Sequence, residues 1–159
     1  MTRFSRPAIL CAFSLLAAAP AYSATAYTGT LSATFSIKLV TPPPSGANLI
    51  CTLDTNIIDE KTSGTTVLSE IFTEISSSVA TISGSSASCT VLIPYSWLLN
   101  NAAGDKINIS YSIGYINTSG GVSSLTQLYR QTSSSTAIPA IPVPSMGWLI
   151  DLPTPSIVL

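Results

Sequence analysis

The sequence predicts an all-β fold, an Ig-like antiparallel β-sandwich of about seven strands with one disulfide. Apolar and hydroxyl-bearing residues alternate over long stretches, turn-forming clusters recur at intervals of about 10 to 15 residues, and only 8% of the 159 residues are charged. Alternation with period two gives a strand one buried and one solvated face, and closely spaced turns between β-branched runs are the pattern of a sandwich rather than of an α/β fold.

The first strand runs from Tyr27 to Leu39. Tyr27, Gly29, Leu31, Ala33, Phe35, Ile37 and Leu39 share one parity, and Thr28, Thr30, Ser32, Thr34, Ser36 and Lys38 fill the other. Pro42-Pro43-Pro44-Ser45-Gly46 stops it, because prolines cannot donate to a ladder. Leu49, Cys51 and Leu53 then share one parity, as do Ala87, Cys89, Val91 and Ile93 further on. Both cysteines therefore point to an apolar face. Ser83-Gly84-Ser85-Ser86 lies between two β-branched runs and reads as a hairpin turn, with Pro94 ending the second arm. After the loop Asn101 to Asp105, Ile107, Ile109, Tyr111, Ile113 and Tyr115 alternate with Asn108, Ser110, Ser112 and Gly114 in the clearest strand of the chain. Asn117 to Gly121 turns it back, and Val122 to Arg130 returns as a weaker strand.

Residues 66–76 admit two readings. Val67, Leu68, Ile71, Phe72 and Ile75 fall at helical spacing with Glu70 and Glu74 opposite, whereas the β-branched and Ser/Thr content favours a strand. A strand is expected, with a short helix as the alternative. Beyond Arg130 come Thr132 to Thr136 and then Pro139, Pro142, Pro144, Pro153 and Pro155. Three regions follow: a signal peptide at 1–23, a sandwich at 24–131, and a Ser/Thr- and Pro-rich tail at 132–159 that is extended or disordered and adds little to the core.

The leader reading rests on Arg3 and Arg6, the apolar run Ala8 to Ala19, and Ala21-Tyr22-Ser23 as a cleavage site. A run of that length is too short for a membrane span, which needs about 20 residues. Removal of the leader takes Cys11 with it and leaves four bases against seven acids, a mature charge of −3. The remaining pair, Cys51 and Cys89, is then a disulfide, as expected of an exported chain.

Chemistry is constrained by what is missing. The sequence has no His, which removes the commonest general base and the commonest metal ligand. No Gly-x-Ser-x-Gly elbow is present, and the scattered bases cannot track phosphates, so nucleic acid is not a partner. Glu70 and Glu74 are the carboxylate pair a small glycan hydrolase would use, although their alternation marks a solvated face. Asp54, Asn56, Asp59 and Glu60 offer oxygen ligands for Ca²⁺ but lack the glycine and distal glutamate of a known loop. No metal and no cofactor is expected. Tyr95 and Trp97 share a parity and are either a stacking platform for a sugar or peptide or a plug for the core beside the disulfide. Asn108 and Asn117 open glycosylation sequons that carry no meaning in a bacterial exported chain.

Two likenesses accompany these readings. The alternation from Gly29 to Leu39 and the spacing of Cys51 and Cys89 resemble the pilin subunits of chaperone–usher fimbriae, which implies a surface subunit. The chain departs from them in ending Pro153-Thr-Pro-Ser-Ile-Val-Leu159, without the alternating terminal strand that donor-strand assembly uses. Residues Ile141 to Ile150 are similar to the start of the Ile-Pro-Thr-Leu type C-terminal sorting signals of Gram-negative surface proteins, although Asp151, Pro153 and Pro155 interrupt the membrane helix that should follow.

The sequence thus predicts an exported, non-enzymatic envelope or extracellular protein, periplasmic or at a bacterial cell surface, with envelope proteins or surface glycans as partners. A fimbrial or adhesin-like subunit and a small carboxylate-dependent glycan hydrolase are the alternatives.

Overall fold

The computed structural model describes residues 24–63, 66–100, 105–119, 121–132, 141–142, 149–152, 154 and 156–159. The expected signal peptide lies outside them. The described residues form an all-β sandwich of two sheets. Six strands are long: β1 (Thr25–Lys38), β2 (Asn48–Ser63), β3 (Thr66–Val79), β5 (Ser86–Leu99), β6 (Lys106–Ser119) and β7 (Val122–Thr132). Four are short: β4 (Thr81–Ser83), β8 (Ile141–Pro142), β9 (Leu149–Asp151) and β10 (Ser156–Val158). One sheet has the order β10-β1-β5-β4, with β9 also on β1; the other has β3-β2-β6-β7, with β8 on β6.

The core follows from the alternation. Leu31, Ala33, Phe35 and Ile37 of β1 and Val91, Ile93, Tyr95, Trp97 and Leu99 of β5 are buried from one sheet. From the other come Leu49, Leu53 and Ile57 of β2 and Ile107, Ile109, Tyr111 and Ile113 of β6. Phe35 meets Tyr111 edge to face across the gap, with ring centroids 5.2 Å apart at 87°. The predicted disulfide joins Cys51 of β2 to Cys89 of β5, Cα–Cα 6.5 Å, so it ties one sheet to the other through the core.

Gly84, at φ 60°, makes the tight turn between Ser83 and Ser86 where the sequence places it. Only three residues precede this turn in its own sheet, because β3 belongs to the opposite sheet. Ala80 makes the crossing between sheets, and its N–H donates to the Leu49 carbonyl. Gly121, at φ 81°, closes the β6–β7 hairpin, in which Ser119 pairs with Val122.

Residues 66–76 are strand throughout, and the helical spacing has a simple origin. In a strand every fourth residue returns to the same face, so Val67, Ile71 and Ile75 lie on one side and Leu68 and Phe72 on the other. Pro94 does not end its strand; β5 continues to Leu99. Its far side is paired only along Ser86–Ser88, where β4 lies, so a residue without an N–H is tolerated at the open side of Pro94.

The tail differs most from expectation. β9 and β10 pair in parallel with β1, Ser32 opposite Asp151 and Ser36 opposite Ser156. The tail takes five steps where β1 takes four, an irregularity of one residue. Leu152 N–H donates to the Ser32 carbonyl, Leu159 N–H to the Lys38 carbonyl, and the Thr154 hydroxyl to the Thr34 carbonyl. Leu152 and Ile157 are buried in the core. The sheets therefore do not stop at residue 131, and the tail adds side chains to the core. Prolines leave room for such pairing because the ladders are only three residues long.

Candidate functional site

The structure separates the residues that the sequence grouped as candidate chemistry. Tyr95 and Trp97 are 4% and 2% exposed and stack on each other, centroids 4.0 Å apart at 17°. They are neighbours on the inward face of β5, so they present no ring to a solute, and the ligand-platform reading is corrected to that of a core plug. The Trp97 indole N–H is buried without a hydrogen-bond partner.

Glu70 and Glu74 are four residues apart along β3 rather than one helical turn apart. At about 3.3 Å per residue their backbone positions are about 13 Å from each other, beyond the spacing at which two carboxyls share a glycosidic bond. The proposed Ca²⁺ ligands are likewise spread along a strand. Asp54, Asn56 and Glu60 point to the outer face of β2, and Asp59 points inward and is fully buried. A cation could not be wrapped by residues on opposite faces of one strand. Among the described residues no group of three acids or cysteines is placed to hold a metal.

What the fold brings together is a different carboxyl pair. Asp59, near the far end of β2, accepts hydrogen bonds at Oδ2 from the backbone N–H and the side-chain Nδ2 of Asn100, each at 2.8 Å. Asn100 directly follows β5, so this carboxyl clasps the end of one sheet to the other. Asp105, at the start of β6, faces the same group. Burial, the Asp59 charge, a hydrogen bond with Asp59 and the Glu60 charge push its pKa up to about 6. Two carboxyls in contact do not readily ionise together, so a proton is held between them into mildly acidic conditions. Beside them a groove of about 530 Å³ is lined by Ala24, Asp59, Leu68, Ser69, Glu70, Leu98 and Asn100. The Asp59 Oδ2 is committed to Asn100, so this carboxyl ties the far end of β2 to the residue that follows β5.

A second polar surface lies on the outward face of the β3-β2-β6-β7 sheet. Asp54, Asn56, Asn108, Ser110, Arg130 and Thr132 line a shallow depression there. Asn108 Nδ2 donates to Asn56 Oδ1 at 3.1 Å, and the Ser110 hydroxyl donates to the Gln131 carbonyl at 3.3 Å. Asp54 Oδ1 is buried without a partner. Sequence reasoning met these residues one by one, as a cation loop and as a sequon. Their assembly depends on the pairing of Asp54 with Ser110 and of Ser110 with Thr132, a register that no local pattern reveals.

Compared with known family models, characterised proteins and solved structures, the chain matches none.

Proposed function

We propose that the chain is an exported, non-enzymatic β-sandwich protein of the bacterial envelope or extracellular space, acting through its surface. The observation that carries this reading is the Cys51–Cys89 bridge at the centre of the core, between the sheets. Such a bond is at home in an oxidising compartment, and it accords with the leader read at residues 1–23. The polar depression around Asp54, Asn108 and Arg130 is the part of the surface best equipped with donors and acceptors for a glycan or an envelope protein.

Of the alternatives, a fimbrial subunit that waits for a partner's strand has less support at β1. That edge is already occupied by β9 along Thr30–Ser32 and by β10 along Ser36–Lys38. Likewise Leu149–Asp151 is engaged as a strand, which favours a structural role for the stretch that resembles a sorting signal.

Expression with the leader in a bacterial host tests the proposal. The chain is expected outside the cytoplasm, lacking residues 1–23, two hydrogens lighter than its reduced form, and inert toward glycans, esters and peptides. A full-length cytoplasmic protein with two alkylatable thiols would overturn the export reading. Glycan release that vanishes in Glu70→Gln, Glu74→Gln or Asp105→Asn, with circular dichroism unchanged, would instead establish the hydrolase.

A further inference from the structure

β3 is unlike the other sheet edges among the described residues. The side of β1 away from β5 is paired by β9 along Thr30–Ser32 and by β10 along Ser36–Lys38, and the open side of β5 carries Pro94. β7 is broken by a bulge between its pairings with Ile113 and Gly114, and it carries Arg130. Bulges, prolines, positive charges and covering segments are the devices that keep edge strands from pairing with other chains. Within Val67–Val79 β3 has no bulge, no proline and no base, and its two charges, Glu70 and Glu74, lie on the face opposite its exposed aliphatic residues. It pairs with β2 along its whole length in an unbroken register, and no described strand pairs with its other side.

Its outward face is also apolar. Val67, Ile71, Ile75 and Val79 are 57%, 64%, 66% and 58% exposed, spaced four residues apart, with Ser69, Thr73 and Ser77 between them. This pattern is symmetric about Thr73. If a second copy is laid antiparallel along the open edge with Thr73 opposite Thr73, Val67 meets Val79, Ile71 meets Ile75, and Ser69 meets Ser77. The same register sets Glu70 opposite Ser76 and Glu74 opposite Phe72, so no two carboxylates face each other. Shifting the centre to Phe72 would place Glu70 against Glu74 and every apolar residue of the outward face against Ser or Thr. Centring on Ile71 or Ile75 would leave Val79 or Val67 without an apolar partner. Matched apolar and Thr–Thr pairs stabilise an antiparallel ladder, and like charges directly opposite oppose it.

We propose that two copies of this chain associate through β3, about a two-fold axis at Thr73, to make one continuous sheet of order β7-β6-β2-β3-β3-β2-β6-β7. The occupant of the edge is a second copy because the strand matches its own apolar spacing over all of Val67–Val79 in a register that also keeps its carboxylates from standing directly opposite each other. A closed two-fold contact of this kind consumes both open edges and stops at the dimer. The proposal does not depend on export or on the absence of catalysis.

Sedimentation velocity of the purified, disulfide-bonded protein tests it. The expected species is a dimer that dissociates on dilution, and Ile71→Lys or Ile75→Lys should give monomers with unchanged circular dichroism. Leu125→Lys, at an exposed position of β7, should leave the dimer intact. Thr73→Cys should form a covalent dimer with a short thiol crosslinker. Ser69→Cys should not, because the two positions would lie about 26 Å apart, eight residues at about 3.3 Å each. A monomer at every concentration, oligomers that grow beyond two, dissociation by Leu125→Lys to the same degree, or crosslinking at Ser69→Cys rather than Thr73→Cys would each overturn the proposal.

Discussion

β1 and β3 are strands of equal length that each face away from their sheet's interior on one side, and the chain treats them in opposite ways. β1 receives two short parallel strands from a segment roughly 120 residues further on, together with the buried side chains of Leu152 and Ile157. Among the described residues no strand pairs with the open side of β3, and its outward face turns four exposed aliphatic residues to solvent. Edge closure is therefore not a general property of this sandwich but a local one. Where the closing segment brings core side chains with it, pairing contributes to folding stability. Where the strand is left open, its residues bear on what the folded protein meets.

Substitutions at the two edges should thus have opposite signatures. Truncation after Thr132 should have the largest effect, because it strips β1 of its cover and removes two buried aliphatic side chains, on the order of 3–6 kcal/mol from apolar burial alone. Denaturant titration would measure this, and a midpoint unchanged by truncation would place β1 and β3 on the same footing. Cys51→Ala comes next. It unties the β2–β5 bridge that joins the two sheets and should cost about 2–5 kcal/mol, read from thermal or chemical unfolding.

The carboxyl clasp at the end of β2 lies apart from both edges and should show itself through pH. Asp105 is raised to about 6 when folded, above its value in the unfolded chain, so the folded state binds the proton more tightly. Its contribution is fully present below about pH 4 and is lost as the pH rises through about 6. A modest fall in melting temperature is expected across that window, and Asp105→Asn should flatten it. Smallest of all should be the stability effect of Ile75→Ser, within about 0.5 kcal/mol, since the side chain is two-thirds exposed. A large loss there would mean that β3 needs its outward residues to fold.

The strands with strict alternation were legible because period two has one reading. β1, β5 and β6 place their apolar parity in the core, and the cysteines with them. β3 was ambiguous because its apolar residues recur every fourth position on both faces, a spacing that a helix also satisfies. The second half of β2 was missed for a related reason: Asp54, Asn56, Asp59 and Glu60 look like a polar loop, and only the burial of Asp59 against Asn100 explains a carboxylate on an inward parity. The tail was hidden by its prolines, which forbid a long ladder but not ladders of three residues. Tyr95 and Trp97 could be placed on one face from the sequence, but which way that face turned required the opposite sheet.

The parallel pairing of β1 with β9 and β10 also has a consequence in time. β1 is made early, and its partners follow after well over a hundred residues. Until they arrive its outer N–H and C=O groups have only water, and closure must draw together the ends of a loop of about 120 residues, an entropic cost that contacts can offset only after they form. The last docking step should accordingly be slow, and an incomplete chain should be open to proteases and to strand exchange at β1 while the finished one is not. Pulse proteolysis during refolding would read this as late protection of β1 relative to β5.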